Sequence, residues 1–152
     1  MGKAETQIQV IRTSLATEPI AVEEAIAAVG SERDGAVVSF SGVVRNHDGG
    51  KGVEQLRYSA HPIAEQVLRE VVAALVQEKA GADSQSLRIW AAHRVGRLEI
   101  GDSALVCAVA APHRQQAFEV CCELVDRIKA QVPIWKEQFF SDGTTEWVSS
   151  GG

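Results

Sequence analysis

The sequence has no apolar run long enough to cross a membrane, and no apolar signal segment follows Met1-Gly2-Lys3-Ala4-Glu5-Thr6-Gln7. Gly2 lacks the Ser or Thr that a myristoylation signal expects. Cysteine is scarce: Cys107, Cys121 and Cys122 are odd in number and form no C-x-x-C pair. That argues against a disulfide framework or a zinc site and fits a reduced cytoplasm. Positive charge is also short, with 15 Lys and Arg against 20 Asp and Glu and a formal net charge of -5. A general nucleic-acid binder would carry a basic face instead. There are no repeats, no low-complexity segment and no linker rich enough to divide the chain. We therefore expect a single domain over residues 1–152, with flexible ends at about 1–6 and 149–152.

What is present is an ordinary globular composition, 45% hydrophobic and 23% charged. Its 152 residues are enough to bury a core. Ile8 to Thr13 alternates and reads as a strand. Thr17 and Pro19 look like a helix start, and Val22, Ala25, Ile26 and Val29 keep helical spacing up to Gly30, giving a helix from about Ile20 to Val29. Gly35 to Arg45 is compact and β-branched, a largely buried strand in which Gly42 marks a bulge or a close approach. Asn46 to Gly52 reads as a flexible loop, and Val53 to Tyr58 as the returning strand of a hairpin. Pro62 opens a helix whose stripe is Val67, Leu68, Val71, Val72, Leu75 and Val76, closed by Gly81. Leu87 to Val95 and Ala104 to Ala110 are strands. A third helix starts at His113 or Arg114, buries Ala117, Val120, Cys121, Leu124, Val125 and Ile128, and ends at Pro133. Short strands around Phe139, Phe140 and Trp147 finish the chain. Interleaved strands and helices with hairpins favour α+β over a doubly wound parallel sheet.

The chemistry-bearing residues cluster around that third helix and its exit. Lys129 lies at the edge of the buried helical face, where burial or a second cation would lower the pKa of its amine and make it nucleophilic. A lysine in the last turn of a helix also favours the dipole with no further role. Lys136 sits beyond the break at Pro133, so the two lysines either converge or diverge. Trp135 reads as a core anchor, with Lys136 on the opposite side. His113 and Arg114 stand at a helix start, where backbone N–H groups and a guanidinium can hold phosphate; they can equally be a cap and a solvated side chain. Arg45 ends a strand at a loop, a common place for a binding residue. His47, His61, His93 and His113 are dispersed without metal-ligand spacing, so no metal is expected. No P-loop and no Ser-His-Asp arrangement is present, and the three cysteines suit core positions.

Several segments together resemble one family, the large catalytic subunit of molybdopterin synthase. They are Phe40-Ser41-Gly42-Val43-Val44-Arg45-Asn46-His47, Leu56-Arg57-Tyr58, His93-Arg94-Val95-Gly96 with Gly101-Asp102, His113-Arg114-Gln115-Gln116-Ala117-Phe118, and Lys129 with Val132-Pro133-Ile134-Trp135-Lys136. The resemblance implies an α+β fold: an α/β hammerhead-like core with an additional antiparallel β subdomain. It implies a homodimer at the centre of a heterotetramer, with a small ubiquitin-like sulfur-carrier subunit on each outer side. The carrier's Gly-Gly tail would enter as a thiocarboxylate, and sulfur would pass to cyclic pyranopterin monophosphate, two transfers making the molybdopterin dithiolene. No resident cofactor is implied. Lys129 and Lys136 would be catalytic. Val43, Val44, Arg45, His113, Arg114, Glu137 and Gln138 would join them in binding substrate, and a pocket arginine could come from the partner protomer.

Two features depart from the family. A second basic residue and then Glu usually follow the Trp-Lys pair, where this chain has Glu137 and Gln138. The chain also ends in Gly151-Gly152, the mark of the carrier, although the rest is too helical for a ubiquitin-like protein. Two other readings use the same residues. One is a non-catalytic module that binds Gly-Gly tails of ubiquitin-like proteins. The other is a different small-molecule enzyme on a related scaffold.

Overall fold

The computed structural model describes residues 8–83 and 86–149. Two strands at its centre, β5 (Leu87–Arg94) and β7 (Ser103–Ala111), are buried at nearly every position. Successive side chains of a strand point to opposite faces, so such a run must be covered on both sides. Leu87, Ile89, Ala91, Leu105, Cys107 and Val109 face one way, against helices α2 (Ala64–Asp83) and α3 (Arg114–Gln131). Trp90, Ala92, Val106, Ala108 and Ala110 face the other, against Ala25 and Val29 of α1 (Val22–Val29). Strands β1 (Ile8–Ala16) and β2 (Ala36–Val43) complete this sheet in the order β1-β5-β7-β2. The β1–β5 pair is parallel and the other two pairs are antiparallel.

A second, antiparallel sheet packs beside it. Its order is β3 (His47–Asp48), β4 (Lys51–Ala60), β8 (Ile134–Phe140) and β9 (Thr145–Ser149), with β6 (Gly96–Glu99) also paired to β4. Val44, Val53, Leu56, Leu98, Ala104 and Phe140 form its small core. This is the α+β arrangement expected, a hammerhead-like core with an added antiparallel sheet. The predicted inner faces of α2 and α3 are the observed ones. All six residues expected to face inward from α3 are buried.

Several boundaries differ from expectation, each for a physical reason. Helix α1 begins at Val22, after Pro19, because the chain stays extended through its N-cap Ala21. It ends at Gly30 with φ -61 and ψ 142, not in the left-handed cap geometry that glycine often supplies. Arg88 of β5 caps it instead, donating from Nε to the Val29 carbonyl at 2.8 Å and from Nη2 to Ala28 at 3.1 Å. Helix α2 starts two residues after Pro62 and runs past Gly81 to Asp83. Strand β2 is not largely buried: it is the sheet's edge, and Val37 and Val43 are 40% and 49% exposed. The bulge expected at Gly42 is there, a register shift between Gly42 and Val43.

The segment Asn46 to Gly52 is not a loose loop but a tight hairpin. His47 pairs with Gly52 and Asp48 with Lys51, across Gly49 (φ 57) and Gly50 (φ 81). Two successive positive φ angles define the turn that matches strand twist in a two-residue hairpin, and glycine adopts them freely. Cys122 is exposed rather than a core residue, whereas Cys107 and Cys121 are buried as expected. Residues 1–7 and 150–152 lie outside the described residues, and with them the expectations for most of the flexible ends and for Gly151-Gly152. Ser149, expected in the flexible C-terminal end, closes β9.

Candidate active site

The two sheets and the C-terminal end of α3 enclose a cavity of about 290 Å³. Three cations reach it from three elements: Arg45 from the segment after β2, Lys129 from α3 and Lys136 from β8. Each is there for a local reason. Val44 exchanges backbone hydrogen bonds with the 101–102 turn (Val44 N–H to Asp102 O at 3.0 Å, Gly101 N–H to Val44 O at 2.9 Å), which fixes the chain just before Arg45. Val132 adopts φ -78 and ψ 122, the extended geometry that a following proline demands, so α3 stops and Lys129 is left on its last turn. Strand β8 then alternates: Ile134, Gln138 and Phe140 are buried on the inner face, with Lys136 between them. Trp135, expected to anchor the core, is on the outer face and 42% exposed. Alternation puts Glu137 on that outer face too, away from the cavity.

The remaining lining is polar in a patterned way. Gln138 is 2% exposed, and its Nε2 donates to Asp48 Oδ2 at 2.8 Å. Arg45 Nη2 lies 3.7 Å from Asp48 Oδ1. The Asp48 carboxyl is held below its usual range, first by the Gln138 amide and then by the charges of Lys136 and Arg45, against the cost of partial burial. His93 Nδ1 donates to the Arg94 carbonyl at 2.7 Å, leaving Nε2 as its remaining polar atom. Its ring meets Tyr58 edge-on, with centroids 5.0 Å apart. Burial, helped by the charge of Lys129, pushes the His93 pKa down to about 4, so this imidazole is neutral at neutral pH. Burial also raises the Tyr58 phenol.

Burial perturbs the amine of Lys136; Lys129, expected at a buried edge of α3, is exposed where it borders the cavity. Lys136 is half-buried and held below the usual lysine value, chiefly by desolvation, with Lys129 and Arg45 adding repulsion and Asp48 opposing them. An amine of that kind keeps more of its neutral, nucleophilic form near neutral pH, while the surrounding cations hold anions.

Of the residues expected in the site, Val43, Val44, Arg45, Lys129, Lys136 and Gln138 line this cavity. His113 and Arg114 do not. They line a separate depression with Gly35, Ala36 and Pro112. They sit at the opposite end of α3 from Lys129, about 22 Å along the helix at 1.5 Å per residue. One chain therefore cannot bring both groups to one small ligand. His47, Asp48, Tyr58 and His93 were missed as site residues. For Asp48 the available signal was the pair of glycines that follows it, a hairpin turn rather than a loop. Among the described residues no three His, Cys, Asp or Glu side chains cluster as a metal would need.

Known proteins resemble this chain in sequence and in fold. The family model "MoaE protein" matches residues 15–131. Molybdopterin synthase catalytic subunit 1 of Mycobacterium tuberculosis is 39% identical over 136 residues, covering 88% of each chain. A crystal structure of molybdopterin synthase from Staphylococcus aureus superposes with a TM-score of 0.76 at 32% identity, covering 97% of this chain and 98% of that one. A chain from the Helicobacter pylori complex of subunits 1 and 2 of molybdopterin-converting factor shares the fold, with a TM-score of 0.61 at 18% identity over 93% of this chain and 88% of its own. By the extent of the family match and of the identity to its relatives, the chain with this cavity of three converging cations belongs to the MoaE protein family.

Proposed function

We propose that this chain is the catalytic subunit of a molybdopterin synthase, a sulfurtransferase. It moves sulfur from the thiocarboxylated C-terminus of a small ubiquitin-like carrier to cyclic pyranopterin monophosphate. The observation that carries the reading is the convergence of Arg45, Lys129 and Lys136 on one cavity beside a neutral His93. Both reactants are anionic where they react or bind, one through a thiocarboxylate and the other through a phosphate. Cations in a partly dewatered cleft stabilise such groups more strongly than they would in water. Arg45 and Lys129, exposed at the rim, meet the incoming anions. Lys136, the half-buried amine, stands nearest the reacting centre. The sulfur arrives on the carrier, so the reading assigns no resident cofactor and no metal. Two transfers complete the dithiolene.

His113 and Arg114 take part in this reading only through a second copy. We place the pair at the cavity of the partner protomer, in a homodimer that carries one sulfur carrier on each outer side. Apolar side chains left exposed on edge strand β2 (Val37, Val43) and on α3 (Phe118) supply surface suited to such contacts. The buried thiols of Cys107 and Cys121 suit a reducing cytoplasm: burial raises both, Cys121 to about 11. Among the described residues no helix is long and apolar enough to cross a membrane.

Reconstitution tests the reading. The purified chain, thiocarboxylated carrier and cyclic pyranopterin monophosphate are mixed, and molybdopterin is read as its fluorescent oxidised derivative. Wild type should make product, and Lys129→Ala should bind carrier without making any. Carrier binding with no product from wild type would leave a module that only recognises Gly-Gly tails.

A further inference from the structure

We propose that Asp48 is a positioning residue of the cavity: anchored by the Gln138 amide, its carboxylate stands beside the Lys136 side chain, favours the charged form of that amine and tempers the net positive charge that the cavity offers an anion. The inference deepens the functional reading above, and rests on it only for the turnover arm of its test.

Geometry carries the argument. Lys136 and Gln138 are two residues apart on β8, so their side chains leave the same face roughly 7 Å apart. Gln138 is buried, and its Nε2 reaches Asp48 Oδ2 at 2.8 Å. That places the carboxylate one side-chain step from the lysine. The Gly49-Gly50 turn fixes the backbone of Asp48 from the other side. Within 4 Å, Asp48 pairs with Arg45 and not with Lys136. The carboxylate is thus near enough to bias the charge of Lys136, yet does not occupy its amine, which stays available to a ligand.

The other groups around Lys136 make that bias necessary. Arg45 and Lys129 bring positive charge from two further elements, and both favour loss of the Lys136 proton. Half-buried Tyr58 on β4 and buried His93 on β5 are neutral at neutral pH, so neither offsets it. His47 lies beside Asp48 at the mouth, and Glu146 on β9 adds a smaller negative contribution. Asp48 is the carboxylate that lines the cavity itself. Without it, two cations, Arg45 and Lys129, would face the half-buried amine with no carboxylate in the cavity lining to oppose them.

The test reads Lys136 directly. Lysines of the full chain are dimethylated with ¹³C-formaldehyde, which keeps their charge, and followed by NMR as pH is raised. Lys136→Arg identifies the signal. In Asp48→Asn, which still accepts the Gln138 hydrogen bond, the Lys136 signal should titrate at lower pH than in wild type. Gln138→Leu should shift it in the same direction by less. Asp48→Ser replaces Asp48→Asn if thermal melting shows that the latter is unfolded. An unmoved Lys136 titration in a folded Asp48 variant overturns the proposal. In the turnover assay, the pH limb of kcat governed by Lys136 should move down alongside the NMR titration, while KM for the carrier falls or stays level. A KM that rises, with kcat keeping its pH profile, would make Asp48 a direct binding group and also overturn it. If wild type makes no product while the NMR shift is present, the functional reading fails and the positioning role stands.

Discussion

The mixed sheet β1-β5-β7-β2 and the antiparallel sheet built on β4 and β8 are made by different rules. In the first, strands β5 and β7 are buried on both faces, and almost any well-packed apolar side chain would serve there. In the second, one face of β8 carries Ile134, Lys136, Gln138 and Phe140 in turn, alternating core and chemistry at two-residue intervals. The first sheet is a support whose tolerance is set by volume. The second is a device whose tolerance is set by register, because a slip of one residue would turn Lys136 outward and bring Glu137 in.

That contrast can be broken in four ways, from the largest effect to the smallest. Leu124→Ala, at a fully buried position on α3, should cost about 2–5 kcal/mol. An unchanged denaturation midpoint would show that the support is not packed as described. The second is acid sensitivity at the junction of the two sheets. His93 binds its proton with a pKa of about 4 when folded, against about 6.5 unfolded. Between those values the unfolded chain holds more protons. The stabilising contribution is therefore complete above pH 6.5 and is lost as pH falls towards 4, by about 3 kcal/mol at most. His93→Gln should flatten that part of a stability-against-pH curve, and an unaltered slope would locate the acid sensitivity elsewhere. Third, Lys136→Ala should lower kcat by about 100-fold or more, the scale of a lost proton-transfer or charge-stabilising group, with little change in melting temperature. A variant inactive only because it melts early would move Lys136 to the support. Fourth, Gly50→Ala should cost about 1–2 kcal/mol for its positive φ, yet reduce turnover more than that loss of stability implies, because the turn places Asp48. Equal activity in the folded fraction would detach the hairpin from the site.

The two regions also differ in how far the sequence discloses them. The inner face of α3 follows from periodicity, since every third or fourth residue from Ala117 to Ile128 must meet the sheet. The burial of β7 follows from its unbroken apolar run. What periodicity does not contain is which strand ends up at an edge, so β2 reads as buried when Val37 and Val43 are exposed. Long-range pairing decides that, and it leaves no local trace. The cavity was half legible. Lys129 and Lys136 were recognisable, but a proline lies between them, and whether they meet depends on the angle at which β8 leaves α3. Asp48 and His93 were obscured for opposite reasons. One lies in a glycine-rich stretch that composition reads as loose, and the other in a strand where a lone histidine looks like filler.

The length of α3 has a consequence for genetics. With Arg114 at its start and Lys129 at its end, one copy cannot bring both to the same ligand. In the proposed dimer, a Lys129→Ala copy paired with an Arg114→Ala copy would assemble one doubly defective site and one fully wild-type site. Two inactive alleles would then complement each other inside a mixed dimer, as no pair of defects confined to a single-chain site could.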